Sequence, residues 1–326
     1  PPDEKWPGWL FYAAVHFGPT NSFWNDFPAV NDYVTRCQSF LQAGKPDNDV
    51  LVYFPAYDRW SNPSERLLEH FDGGAYGTSA RDLGIKLQEW GYTFDFASDK
   101  QIANLNVQNG KLKAPNASYQ SIIVPETEFM PIETLRSLYE LAGKGAKISF
   151  VNQLPAHVSG FGNLKQKQKN YKELKTKINF RSSVQKPFQI AEINKGAFYQ
   201  TDEVKDILVE LGIEAEPMIK DNLWFIRRKQ STGTAYFILN RGDKPVDQWV
   251  ELKRNAADAV VYNPMNGRYG QAAILEDGSV YLQLDPGESC IVQTFNQEVE
   301  TDAYPYMEKT AAPVPVEGNW KVSFLK

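Results

Sequence analysis

The chain has 326 residues, a net charge of −5 and 42% hydrophobic residues, which makes it too long for one ordinary domain and too apolar for a disordered segment. Nucleic-acid binders show a basic stripe; the basic run here, KQKQKNYKELKTK (165–177), keeps Leu164, Tyr171, Leu174 and Ile178 on one face and reads as a solvated helix instead. No apolar run approaches the ~20 residues a membrane span needs, no signal peptide is legible, and Cys37 and Cys290 stand too far apart for a disulfide framework or a metal spacing.

The first element is carried by PGWLFYAAVHFGPTNSFWNDF (7–27). Its first half predicts a buried strand over 8–17, and its second half a loop crowded with His16, Asn21, Trp24 and Asn25. A helix follows over 28–43: Pro28 suits a first turn, Val30, Tyr33, Val34, Cys37, Phe40 and Leu41 share one face, and Gly44 ends it. Both cysteines fall in regular elements, Cys37 in this helix and Cys290 in a strand, and read as buried free thiols.

DVLVYFP (49–55) is apolar on both faces, as a central parallel strand should be. SARDLGIKLQEWGY then predicts a helix, with Ser79 and Asp82 at capping-box spacing. A short strand (93–96), a short helix, the strand SIIVP (121–125), a helix over 132–143 and the strand KISFVN (147–152) follow. Strands alternating with helices at this spacing predict a doubly wound parallel sheet. Residues 153–220 add the Lys-rich helix and a second helix at 202–211, which complete that layer. Beyond about Asp221 the chain turns to short alternating runs separated by Asn266-Gly267, Asp277-Gly278 and Asp285-Pro286-Gly287, the pattern of a small antiparallel β-sandwich. A polar, Pro-rich linker (299–316) leads to GNWKVSFLK, which reads as the first strand of a further unit.

Several stretches invite a chemical reading. DGGAYGTSARD (72–82) places glycines before a helix N-terminus, but some twenty residues separate it from the preceding strand and there is no Walker lysine, so a surface or cleft-lining loop is the better reading. An amidotransferase-type site needs a nucleophile on a sharp turn after a central strand, and ETEFM and QLPAH supply none. Glu126 and Glu128 follow a strand's C-terminal end, where open α/β sheets bind ligands. They form a candidate glycosidase pair, against the alternative of carboxylates complementing a helix start. His70 and His157 are isolated and read as solvated or structural. The best ligand candidate is the opening stretch. Trp9, Tyr12 and Phe23 read as packing, whereas His16, Asn21 and Trp24 suit a sugar subsite as well as they suit packing, because sugars are held by flat rings against C–H faces and by fixed polar groups on hydroxyls.

Several segments resemble glycoside hydrolase family 106, the α-L-rhamnosidases. They are HFGPTNSFW, FPAVNDYVTRCQSFLQAGKPDNDVLVYFPAYDRW, GYTFDFASDKQI, YQSIIVPETEFMPIETLRSLYELAGKGAKI and DNLWFIRRKQSTGTAYFILNRGDKPV, in that order. The likeness covers most of the chain and weakens over 155–215. It implies a large multidomain parent in which 1–44 form the last strand and helix of a (β/α)8 catalytic barrel. Residues 45–220 would form an amidotransferase-like α/β domain without a nucleophile, 221–298 a β-sandwich, and 299–326 a linker and first strand of another β-sandwich. The loop with His16, Asn21 and Trp24 then lies at the barrel face where active sites form. The parent is expected to remove terminal α-L-rhamnose from plant polysaccharides or glycosides with inversion, and to be periplasmic or secreted. Its catalytic residues are unknown here and belong to earlier barrel strands, so the segment alone is expected to be inactive. The segment itself implies no cofactor; a calcium ion would belong to the absent barrel. Expected partners are the carbohydrate substrate and the remainder of the same polypeptide, with no nucleic acid and no membrane span. Two alternatives stand beside this: a non-catalytic carbohydrate-binding or scaffold module, and a stand-alone α/β enzyme using Glu126 or Glu128.

Overall fold

The computed structural model describes residues 17–19, 21–61, 77–254, 256–308, 311–312 and 314–323. The strand predicted over 8–17 therefore lies, apart from Phe17, outside the described residues, as do His16, His70 and the first part, 72–76, of the 72–82 glycine loop. Those residues form several sheets and seven α-helices.

One sheet has seven strands. Its parallel part runs Phe94–Ala97, Val50–Tyr53, Ser121–Val124, Lys147–Val151, Gly196–Thr201 across the sheet, an order of 2-1-3-4-5 in chain sequence. Successive side chains of a strand point to opposite faces. Leu51, Tyr53, Ile122, Val124, Ile148 and Phe150 share one core with Leu135 and Leu138 of the helix Ile132–Gly143. Val50, Val52 and Ile123 share the other with Ala80, Leu83 and Leu87 of the helix Ser79–Glu89 and with Val204 and Leu208. Because helices cover both faces, Val50–Tyr53 and the Ile122-Ile123-Val124 run are apolar at every position, and the strands read as continuous rather than alternating runs.

Two expectations shift. The helix Ser79–Glu89 is capped by Thr78, whose hydroxyl oxygen accepts the Arg81 backbone N–H at 3.2 Å, while the Ser79 hydroxyl donates to the Glu126 carbonyl at 2.7 Å. The capping box lies instead at Ser98 and Gln101, where the Gln101 amide oxygen accepts the Ser98 backbone N–H at 2.9 Å. Second, the region 153–220 contains more than the helices Leu164–Lys175 and Val204–Glu210. Arg181–Ser183, Lys186–Ile193 and Gly196–Thr201 form an antiparallel meander that extends the sheet. Its tight turn uses Asn194 at φ 49°. A Cβ on Gly196 would stand 2.3 Å from the Ala146 carbonyl oxygen, so glycine is what lets this strand join.

After Asp221 all ladders are antiparallel. Leu223–Lys229, Thr234–Asn240, Ser289–Phe295, Asp258–Tyr262 and Tyr269–Gln271 form one sheet, with the two residues Lys45–Pro46 added at its edge. Val246–Val250 and Val280–Leu284 form a separate pair. Tyr236, Ile238, Val261 and Val292 from the larger sheet bury against Val250, Val280 and Leu282 from the smaller. The terminal GNWKVSFLK shows no regular structure over 318–323, and its last three residues lie outside the described set.

The helix Phe27–Leu41 packs on the opposite face of the larger antiparallel sheet. Tyr33 shares a 2.8 Å hydrogen bond with the Ser289 hydroxyl, the Phe40 ring lies 4.7 Å from that of Tyr262, and Arg36 Nη1 donates to the Pro264 and Met265 carbonyls. Val30 and Val34 on the same helix stay 52% and 42% exposed.

The parallel and antiparallel layers meet over buried ions. Arg227, from the strand Leu223–Lys229, has no side-chain exposure and reaches Glu216 (2.6 Å) and Asp49 (3.0 Å). Lys253 Nζ also meets Asp49 at 2.8 Å, and Arg254 Nε meets Asp47 at 2.8 Å. Three carboxylates face three cations, which is how charge is tolerated away from water.

Candidate functional site

The loop before the first helix carries a small aromatic cluster. Phe17 lies 5.8 Å from Phe23 at 79° and 5.4 Å from Phe27, while Trp24 stacks on Phe27 at 5.7 Å and 9°. Phe17, Phe23 and Trp24 remain 60%, 40% and 37% exposed. Trp24 thus uses one face for packing and keeps part of its surface open. Asn21 is bound into its own turn. Its backbone N–H donates to the Gly18 carbonyl at 2.9 Å, and its side-chain oxygen accepts the Gly18 N–H at 3.2 Å. The turn fixes Asn21 and Trp24 on one short segment. Trp9, Tyr12 and His16, which the sequence grouped with them, lie outside the described residues.

The second place to look is the C-terminal end of the parallel sheet, between Val50–Tyr53 and Ser121–Val124, where the strand order reverses and ligands bind in such folds. Here the backbone after Val124 is pinned. Asp58 accepts the N–H groups of Glu128 and Phe129 at 2.8 and 2.6 Å, and Thr127 donates to the Pro125 carbonyl at 2.7 Å. Burial pushes the Asp58 carboxyl up, against the pull of those two backbone donors. Asp99 accepts from both the Tyr53 hydroxyl (3.1 Å) and the Thr134 hydroxyl (2.6 Å). Burial and then the Asp99 charge raise the Tyr53 phenol far above its ordinary value, so it is a fixed donor.

These groups hold each other, and among the described residues no cysteine lies beside them. Both thiols are elsewhere: Cys37 faces the antiparallel sheet from its helix, and Cys290 is buried within that sheet, where its pKa is pushed up to about 12. Glu126 and Glu128 are exposed, and Glu128 lies 3.9 Å from His157, itself 60% exposed. A general acid needs an enclosed, dry setting, and both glutamates are open to solvent. The groove beside Ser79, Trp90 and Glu126 holds only about 170 Å³, below the ~300 Å³ of an ordinary ligand pocket. Among the described residues no group of three or more His, Cys, Asp or Glu is placed to hold a metal ion. Among the same residues no helix is long and apolar enough to cross a membrane.

Comparison with known proteins places this arrangement. The family described as alpha-L-rhamnosidase, glycoside hydrolase family 106, matches residues 1–274. The chain belongs to that family. A curated relative in Formosa agariphila, named "Putative beta-glucuronidase", is 23% identical over 282 residues, covering 85% of this chain and 22% of that protein. Among solved structures, the rhamnosidase from Novosphingobium sp. PP1Y superposes with a TM-score of 0.67 at 17% identity, over 91% of this chain and 27% of that one. A beta-galactosidase from Bacillus circulans sp. alkalophilus superposes with a TM-score of 0.52 at 8% identity, over 85% of this chain and 46% of that one. The fold is therefore one that recurs in glycosidases, and this family 106 chain spans about a quarter of the length of its rhamnosidase and Formosa relatives.

Sequence reasoning passed over the ion cluster entirely. Its signals were present: two aspartates in Asp47-Asn48-Asp49 just before an all-apolar strand, and an arginine in the middle of LWFIRRK.

Proposed function

We propose that this chain is the part of an inverting α-L-rhamnosidase that follows the catalytic carboxylates. Its aromatic loop forms the rim of a sugar subsite whose reacting groups come from the rest of the polypeptide. The observation that carries this reading is the unbroken family match over 1–274, which runs from the aromatic loop through the parallel sheet into the antiparallel layers. In this reading residues 1–44 complete a (β/α)8 barrel, 45–220 are an amidotransferase-like domain, 221–298 a β-sandwich, and 299–326 lead into a further β-unit.

Inversion requires an acid and a base about 6.5–9.5 Å apart with the sugar between them. The exposed Glu126 and Glu128 offer no enclosed cleft for that, so the acid and base belong to other barrel strands, and the chain alone turns nothing over. Its own residues bind and orient: Trp24 presents a ring to a sugar's C–H face, and Asn21 and His16 supply directional polar groups. A polymeric plant glycan as substrate goes with a periplasmic or secreted enzyme.

The test compares the full open reading frame with the 326-residue chain on an aryl α-L-rhamnoside, following the product anomer by NMR. Turnover with inversion by the former and none by the latter is expected. Release of glucuronic acid instead of rhamnose by the full-length protein would overturn the substrate. Turnover by the short chain, abolished in Glu126→Gln or Glu128→Gln, would establish the stand-alone enzyme.

A further inference from the structure

Where the parallel and antiparallel layers meet, a cleft of about 660 Å³ opens above the buried ions. Asp47 and Asp49 on its floor are already neutralised by Arg227, Lys253 and Arg254. Four further cations line the same cleft: Lys45, Lys111, Lys113 and Lys229. Among the described residues none of the four is ion-paired; Lys113 only donates to the Ser118 hydroxyl at 3.0 Å. In a chain of net charge −5, this is a local surplus of positive charge.

The backbone builds that surplus deliberately. In the strand Lys111–Lys113 the central Leu112 is fully buried, which turns both lysines the same way into the cleft. Opposite, Lys45 is the direct cross-strand partner of Lys229. Like charges placed opposite one another are destabilising. Gly44, at φ +66°, makes the approach feasible: a Cβ there would stand 2.2 Å from the Lys229 carbonyl oxygen. Arg228 holds it closed by donating to the Ala43 and Gly44 carbonyls. The fold thus keeps two like charges side by side, eased only by Asp47, which Arg254 already pairs, so that a further anion between them would relieve the remaining repulsion.

The rest of the wall mixes the amides and hydroxyls of Asn48, Asn116, Gln120 and Ser118 with the small apolar surfaces of Pro46, Ala114, Pro115 and Ala117, and among the described residues no aromatic ring lines it. Single-stranded nucleic acid is held by base stacking on such rings. Hydroxyl-matching groups around a cationic centre suit an acidic sugar instead. We infer that this cleft is a binding site for an anionic oligosaccharide, its carboxylate or sulfate seated between Lys45–Lys229 and Lys111–Lys113. The glycan class rests on the functional reading above; the demand for an anion rests on the lysines alone.

Calorimetric titration of the full 326-residue chain tests this, with a short oligogalacturonate, its methyl ester, a sulfated oligosaccharide of equal length and an oligodeoxythymidylate. One or both acidic glycans should bind, weakening as salt rises, and the uncharged ester should not. A preference for the first identifies a uronate, and for the sulfated probe a sulfate ester. Lys111→Gln with Lys113→Gln should weaken binding about tenfold or more. Lys45→Gln should weaken it while leaving the melting temperature unchanged or higher, which separates lost binding from lost folding. Equal binding of the ester, equal binding of the oligodeoxythymidylate, unchanged affinity in the lysine variants, or no binding of either acidic glycan would overturn the proposal. Turnover plays no part in this measurement, so a full-length protein that releases no rhamnose would sink the function while leaving the cleft standing, and the reverse.

Discussion

Arg227 and Glu216 face each other at 2.6 Å with no side-chain exposure on either partner. The same guanidinium reaches Asp49, which is equally buried, so one arginine joins the strand entering the antiparallel layer to the first strand of the parallel one. Burial works against its charge but is outweighed by Asp49, Glu216 and Asp47, which hold it protonated. Arg227→Met leaves two buried carboxylates without their main counter-charge. A loss of roughly 3–5 kcal/mol is expected, read by urea denaturation, with the two layers melting separately. A loss below about 1 kcal/mol would mean that Lys253 and water compensate, and the cluster is not the joint described above.

Asp47 gives the cluster a pH signature. Burial raises its pKa, but the Arg254 hydrogen bond and the charges of Arg227, Arg254 and Lys229 prevail, so the carboxyl is held below its ordinary 3.8. A depressed folded-state value contributes stability that is complete above the unfolded pKa and disappears as pH falls through the folded one. Asp47→Asn should therefore cost most at neutral pH, and the gap from wild type should narrow only below about pH 4. A gap that stays constant down to pH 2 would assign the cost to packing rather than charge.

Trp24 and His16 separate binding from packing. In the full-length protein Trp24→Ala should lower kcat/KM about ten- to a hundredfold, mainly through KM, from the roughly 1–3 kcal/mol a ring loses when a sugar no longer stacks on it. His16→Ala should act likewise. Wild-type kcat/KM in both variants would reduce the loop to packing. A loss of kcat above about a thousandfold at unchanged KM would make His16 part of the chemistry.

The thiols should be silent in the native state. Burial raises both, Cys290 to about 12, and thiolate is the reactive form. A disulfide reagent at pH 8 should find both groups only after denaturant is added; rapid native labelling of Cys290 would show that the sheet opens.

The elements were legible where period and burial agree. The helix Ile132–Gly143 and the strands Val50–Tyr53 and Ser121–Val124 follow from runs whose apolar spacing admits one reading. The family resemblance was legible in the order of five such segments. The strand pair Lys186–Ile193 and Gly196–Thr201 was not, because polar residues interrupt its apolar positions and its turn relied on Asn194 at positive φ. Nor did the sequence reveal that Thr78, rather than Ser79, caps its helix: either hydroxyl fits, and the choice was made by the Glu126 carbonyl, which only the packed sheet brings to Ser79.

By itself, then, the sequence determined which segments are buried and with what period, since the removal of apolar surface from water depends on residue type and spacing alone. The tertiary structure alone decided which charges meet. Asp47, Asp49, Glu216, Arg227, Lys253 and Arg254 span two hundred residues of chain, and no local pattern marks them as partners. Lys45 and Lys229 oppose each other for the same reason. Coulomb energy depends on distance in space and on the surrounding dielectric, and both are fixed only once the two layers have closed.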